Sequence, residues 1–204
     1  MTTLKPDPVV IRQQVRRERR ALSLREQHAH SVAVCARLLR HPRYLGASSL
    51  GVYLAADGEL DLAPVISDGW RTGKNVFLPV LHPFADNKLW FSPWRQGDLL
   101  ELNRYGIPEP VTRHAPPVSP RRLDLVLVPL VAFDAHCFRI GMGGGYYDRT
   151  FWYRRVAPGW KRPKIIGVAH ELQRQDVLIP MPWDVVLDAI ITEKSFYACS
   201  VHAG

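Results

Sequence analysis

The chain has 204 residues, 47% of them hydrophobic, which is enough for one domain with a sizeable core, and no shift in composition argues for a second. No apolar run approaches the ~20 residues that span a bilayer, and the charged N-terminus lacks a secretory apolar segment, so a cytoplasmic protein that does not enter membranes is expected. A net charge of +8 favours anionic partners, nucleic acid and nucleotide phosphates among them.

The first predicted helix covers about 8–22 and begins at Pro8, a good first-turn residue. Arg12, Arg16 and Arg20 recur every four positions and form a basic stripe opposite Ile11, Val15 and Leu22, a pattern read by default as a solvated face. Ser23 and Glu26 form a capping box for a second helix, whose packing face is read as Val32, Cys35, Ala36 and Leu39 and which stops at His41-Pro42. Residues 49–54 read as a strand and 55–61 as the loop leaving its carboxyl end, where ligands of open α/β sheets bind. Glu59 in that loop either faces a ligand or starts the next helix, where a negative charge is favourable. Asp61 can cap a helix over 65–70, and 75–80 supply the next strand. Strand and helix thus alternate, the pattern of a mostly parallel sheet. Residues 82–122 are irregular and rich in Pro and aromatics, with a hairpin near 88–92; Trp90 and Tyr105 serve either as cover for a ligand or as surface packing.

The apolar, β-branched run 123–133 predicts a buried strand, and just beyond it comes Arg139-Ile140-Gly141-Met142-Gly143-Gly144-Gly145-Tyr146-Tyr147-Asp148-Arg149, followed by a helix over 147–156 that stops at Pro158-Gly159. A glycine loop at a helix N-terminus exposes backbone N–H groups that can hold phosphate. Arg139 adds a planar cationic fork, Asp148 a hard oxygen suited to Mg²⁺, and Tyr146 and Tyr147 flat faces for a heterocycle. The loop has neither the Walker A residues nor the dinucleotide spacing, so a tight turn is the competing reading. Two further buried strands are predicted over 163–169 and 185–191. Cys35, Cys137 and Cys199 are odd in number and lack CxxC or Cys/His spacing, which predicts reduced thiols and no structural zinc, with a nucleophilic Cys137 the minor alternative. His82, His114, His136 and His170 show no metal-ligand spacing.

The glycine segment, together with YLAADGELD, VFLPVLHP and YGIPEP before it and IPMPWD and DAIITEKS after it, resembles the 5-formyltetrahydrofolate cyclo-ligase (5,10-methenyltetrahydrofolate synthetase) family in the same order along nearly the whole chain. The resemblance implies one Rossmann-like, three-layer α/β domain over 1–204, with a mostly parallel central sheet flanked by helices. It implies ATP- and Mg²⁺-dependent cyclisation of 5-formyltetrahydrofolate, with or without a polyglutamate tail, to 5,10-methenyltetrahydrofolate, and a protein acting as a monomer with nucleic acid an unexpected partner. By the same resemblance Arg139 and Tyr147 are the catalytic candidates. ATP falls to Pro8, Arg12, Arg139, Gly141, Met142, Gly143, Gly144, Gly145, Tyr146 and Tyr147. The folate falls to Leu54, Glu59, Gly143, Gly144, Gly145, Tyr146 and Tyr147, and Mg²⁺ to Asp148 and Asp184, with Asp188 the alternative, read as structural. Where the family carries a basic residue four positions before Arg12, this chain has Pro8, so either Lys5 substitutes or the site manages without that charge. The rival readings are a nucleic-acid-binding module on the same scaffold that uses the arginine helix on phosphates, and a nucleotide-dependent enzyme acting on another pterin or formamide.

Overall fold

The computed structural model describes residues 7–113, 116–157, 159–160 and 162–199; Lys5, His114 and Pro158 lie outside them. Helices α1 (Pro8–Ala21), α2 (Leu24–Leu39) and the short α3 (Pro42–Leu45) precede β1 (Ser49–Gly51), α4 (Ala63–Arg71), β2 (Asn75–Leu81) and β3 (Leu89–Pro93). The hairpin of β4 (Leu100–Leu102) and β5 (Pro108–Pro110) leads to β6 (Leu125–Pro129) and to a second hairpin, β7 (Ala132–Phe133) with β8 (Arg139–Ile140). Then come α5 (Tyr146–Phe151), α6 (Tyr153–Val156), β9 (Lys164–Val168), β10 (Ala189–Ile191) and β11 (Phe196–Ala198).

The central sheet has seven strands in the order β11-β10-β9-β6-β1-β2-β3, parallel except at its two edges, where β3 and β11 run antiparallel. Successive side chains of a strand point to opposite faces, which explains why β6 must be apolar throughout. Leu125 and Leu127 join Val34, Leu38, Tyr44 and Val65 beneath α2, α3 and α4, whereas Val126 and Val128 join Phe151 and Tyr153 of α5 and α6. This is the expected three-layer α/β architecture. Among the described residues no helix is long and apolar enough to cross a membrane.

Helix α1 is the exception to the layering. Ile11 and Val15 pack with Val131, Ala132 and Leu178, so the helix lies over the segments that follow β6 and β9 at their carboxyl ends. Beneath it the strand order reverses, since β1 has β2 on one side and β6 on the other. A crevice at the carboxyl ends of two such strands is where open α/β sheets bind ligands.

Several local expectations are corrected. The buried face of α2 is Ser31, Val34, Cys35 and Leu38, with Val32 turned outward, because the Ser31 hydroxyl accepts the Asp61 N–H at 3.0 Å and so belongs inside. The strand expected over 49–54 ends at Gly51, and the helix expected over 147–156 is broken at Trp152. The expectation of three reduced thiols fails: Cys137 and Cys199 form a disulfide, Cα atoms 5.7 Å apart, because β11 turns back along β10 and carries Cys199 to the β7–β8 hairpin. Cys35 is free and buried, and burial pushes its thiol up to about 11.

Candidate functional site

The basic stripe of α1 faces solvent only in part, with Arg20 56% and Arg16 35% exposed at the side chain, because its guanidinium groups are engaged. Arg16 Nε and Arg19 Nη2 each donate to Asp57 Oδ2 at 2.8 Å, and Arg20 bonds the other oxygen of the same carboxylate. Burial acts to raise the Asp57 pKa, but the arginines outweigh it and hold the group below the usual carboxylate range. Arg19 is the largest buried side chain, 1% exposed, and it spans the crevice: Nε donates to the Asp57 carbonyl at 2.9 Å, after β1, and Nη1 to the Leu130 carbonyl at 3.4 Å, after β6. Sequence reading did not single out Arg19. The available signal was its register, since 11, 15 and 19 share one helical face.

Arg12, the remaining member of the stripe, reaches the glycine loop, where its Nε donates to the Gly141 carbonyl at 2.8 Å across 129 positions. The loop turns through left-handed backbone at Gly143 (φ 105°) and Gly145 (φ 66°). At Gly145 a side chain would be strained by the left-handed backbone, and its Cβ would displace the flexible tip of Arg149, which stands 2.5 Å away. The N–H groups of Met142, Gly143, Gly144 and Gly145 donate to no acceptor among the described residues, and residues 141–144 are exposed, which suits an anion. Tyr146 closes one side: its hydroxyl bonds the Tyr105 hydroxyl at 2.7 Å, the rings meet edge to face, and Arg104 lies over Tyr105. Tyr105 is therefore a site neighbour that sequence left as either cover or packing.

Glu59 lies in the loop before α4, four positions short of Ala63, so it does not start that helix; the N-cap is Leu62, without a side-chain cap, and Asp61 just before it accepts the Ala63 N–H at 2.9 Å. One Glu59 oxygen accepts the Ala56 N–H at 3.1 Å. Burial, the largest influence, lifts the Glu59 pKa above the ordinary range despite that bond and the nearby Arg19. Burial likewise raises the Tyr147 phenol, and the Glu59 charge raises it further, so the two groups share one poorly solvated environment. Tyr147 stacks on Phe151, and Leu54 packs at the edge of the core beneath the same loop.

Arg139 and Asp148 meet, but as partners of each other. Arg139 Nη2 donates to Asp148 Oδ1 at 2.6 Å, its Nη1 bonds the Val185 carbonyl, and the side chain is 5% exposed. The fork expected to face phosphate is thus engaged inward, each of its two terminal nitrogens bonding a carboxylate or a carbonyl. Asp148 Oδ1 also accepts the Val185 N–H at 3.0 Å, leaving Oδ2 as its outward oxygen. Asp184 Oδ2 accepts the Met181 N–H at 2.8 Å; burial, then the charge of Asp148, push Asp184 upward in pKa. Two neighbouring carboxylates, the charge of Asp148 raising the cost of ionising Asp184 and each with an oxygen to spare, fit a hard cation. Asp188 does not share this site: Arg154, Lys164 and the Ile165 N–H hold it, a structural role. Pro8 stands exposed in the first turn of α1, capped by Asp7, and offers no charge.

These features define a class: a single-domain α/β enzyme whose loops converge outside the carboxyl ends of its parallel strands, around an exposed glycine turn. The family follows from comparison with known proteins. Residues 5–193 match the 5-formyltetrahydrofolate cyclo-ligase family, and the chain belongs to it. It is 40% identical over 187 residues to the 5-formyltetrahydrofolate cyclo-ligase of Escherichia coli strain K12, covering 90% of this chain and 98% of that one. To the Haemophilus influenzae 5-formyltetrahydrofolate cyclo-ligase it is 34% identical over 183 residues, 89% and 95% of the two chains. The solved 5,10-methenyltetrahydrofolate synthetase of Aquifex aeolicus has a TM-score of 0.80 at 28% identity, covering 97% of this chain and 94% of its own. One from Mycoplasma pneumoniae, TM-score 0.72 over 92% and 99% at 23% identity, supports the fold alone.

Proposed function

We propose that the protein closes 5-formyltetrahydrofolate to 5,10-methenyltetrahydrofolate at the expense of ATP, with Mg²⁺, releasing ADP and phosphate. The observation that carries this reading is the bond from Arg12 to Gly141, which joins the N-terminal helix to an exposed glycine turn beside Tyr147, whose phenol feels the charge of Glu59. A formamide oxygen is a poor leaving group, so ring closure needs that oxygen activated. The formyl oxygen attacks the γ-phosphorus and ADP departs; N10 then adds to the formyl carbon and gives up its proton, and the carbon–oxygen bond breaks as phosphate leaves with the former formyl oxygen and that proton. Phosphoryl transfer of this kind asks for positioning and neutralisation of charge more than for a protein nucleophile.

The residues divide the work. The N–H groups of 142–145 and the Arg12 guanidinium receive the phosphates, and the Tyr146 ring borders them. Leu54 lies against the pterin, and the Glu59 carboxylate accepts N–H donors from its edge. Tyr147, kept protonated by burial, donates toward the formyl group. When bound, Mg²⁺ supplies neutralisation of the phosphates, and Asp148 and Asp184 would hold it. Arg139 serves this arrangement by fixing Asp148. Arg16, Arg19 and Arg20 are committed to Asp57, which speaks against α1 as a nucleic-acid surface. The test is stoichiometry: ADP and methenyltetrahydrofolate should appear one for one, and excess chelator should stop both. Ring closure that continues in chelator, or without nucleotide, would overturn the proposal.

A further inference from the structure

At the carboxyl ends of β9 and β10, on the α2 side of the sheet, three side chains that the proposed reaction does not use converge: His30 of α2, His170 after β9 and Glu193 after β10. One ligand atom from each can be chosen so that all lie within 4.8 Å of one another. We propose that His30, His170 and Glu193 form a binding site for a divalent transition ion of the zinc type, separate from the phosphate loop.

The hydrogen bonding around the cluster supports this in detail. His170 is fully buried and its Nε2 is placed 3.0 Å from the Gly58 carbonyl; that bond requires the proton on Nε2 and so leaves Nδ1 as a lone pair directed at His30. Glu193 spends Oε2 on the Glu171 N–H at 2.9 Å, leaving Oε1, which lies 3.9 Å from His30 Nε2. His30 Nδ1 faces His170 Nδ1 at 2.9 Å. Two of the three ligands are thus oriented by an outer hydrogen bond, the arrangement that fixes imidazole tautomer and carboxylate direction at metal centres. Around a tetrahedral ion with bonds of ~2.0–2.1 Å, neighbouring ligand atoms stand about 3.4 Å apart. His30, the most exposed of the three at 25%, supplies the small rotation needed. It binds as its Nε2–H tautomer, its Nδ1 proton moving to Nε2, so no oxidant or net charge change on the ring is required. The fourth position opens to water beside His30. Two imidazoles and one carboxylate favour Zn²⁺ or Co²⁺ over Mg²⁺, which separates this site from Asp148 and Asp184 by chemistry as well as by position. Because His170 bonds Gly58, an ion here also braces the turn that carries Asp57 and Glu59.

Co²⁺ titration of the untagged, chelator-washed chain tests this. One equivalent should give visible d–d absorption that Zn²⁺ removes one for one and a large excess of Mg²⁺ does not. His30→Ala, at the partly exposed corner, should weaken Co²⁺ binding about tenfold or more with an unchanged far-UV spectrum; Glu193→Gln should do the same, and His41→Ala should change nothing. Absence of a stoichiometric band overturns the proposal. So does a band equally strong in His30→Ala, which would mean adventitious binding at surface histidines.

Discussion

Arg12 and Glu59 are the residues on which the two halves of the proposed site depend, and each can be removed without dismantling the fold. Among the described residues Arg12 hydrogen-bonds Gly141 alone, and it is the member of its stripe not committed to Asp57. Losing a charge-assisted contact costs about 1.5–3 kcal/mol, so Arg12→Ala should raise the KM for ATP roughly ten- to a hundredfold while changing kcat much less. Pro8 sharpens the test, because no basic residue four positions earlier can compensate. An unchanged ATP dependence would return Arg12 to a purely structural bond. Glu59→Gln should weaken 5-formyltetrahydrofolate binding over the same range, measured by calorimetry, because a neutral amide replaces a charged acceptor. Equal affinities would mean that Glu59 serves only to close its own turn through Ala56.

At the scale of elements, Asp188 ties α6 to the start of β9, its carboxylate accepting from Arg154 at 2.6 Å, Lys164 at 3.2 Å and the Ile165 N–H at 2.8 Å. Burial pushes its pKa up, but Arg154 and the other donors more than offset that, and the group sits below the ordinary carboxylate value. A carboxyl depressed in the folded state contributes in full above its unfolded pKa of about 3.9 and loses that contribution as pH falls through the folded value. Asp188→Asn should therefore cost about 3–5 kcal/mol at neutral pH, as expected for a broken buried pair. In parallel melts the gap in Tm should narrow on acidification below pH ~4; a gap that stays constant to pH ~2.5 would contradict the ion-pair account. What sequence made legible at this scale was local. The Ser23–Glu26 capping box forms as expected, with the Ser23 N–H on Glu26 at 2.8 Å, because its partners are three residues apart. The inward Ser31 and the Cys137–Cys199 bridge escaped because each depends on a partner distant in sequence, Asp61 and the return of β11; the β7–β8 hairpin is local, Ala132 facing Ile140, but its first strand lies inside the continuous apolar run read as one strand over 123–133.

At the scale of the whole molecule, a helix with a basic stripe lies across the carboxyl ends of a parallel sheet, and its arginines bind the chain segments that leave two adjacent strands, β1 and β6. The net charge of +8 suggested anionic partners, yet Arg16, Arg19 and Arg20 meet on one internal carboxylate, so charge counted along the chain overstated what α1 offers to solvent. The mostly parallel character of the sheet was foreshadowed by the alternation of strand and helix patterns, though not its strand order, and the glycine turn by its own residues. The inward turn of Arg139 was not, because a lone arginine beside glycines looks the same whether it faces phosphate or Asp148. The most direct measurement of the account is the absorbance of 5,10-methenyltetrahydrofolate on mixing the protein with 5-formyltetrahydrofolate, ATP and Mg²⁺. It should rise with time, stay flat when any one component is omitted, and rise far more slowly with Asp148→Asn. A flat trace with the complete mixture and correctly folded protein would contradict the account.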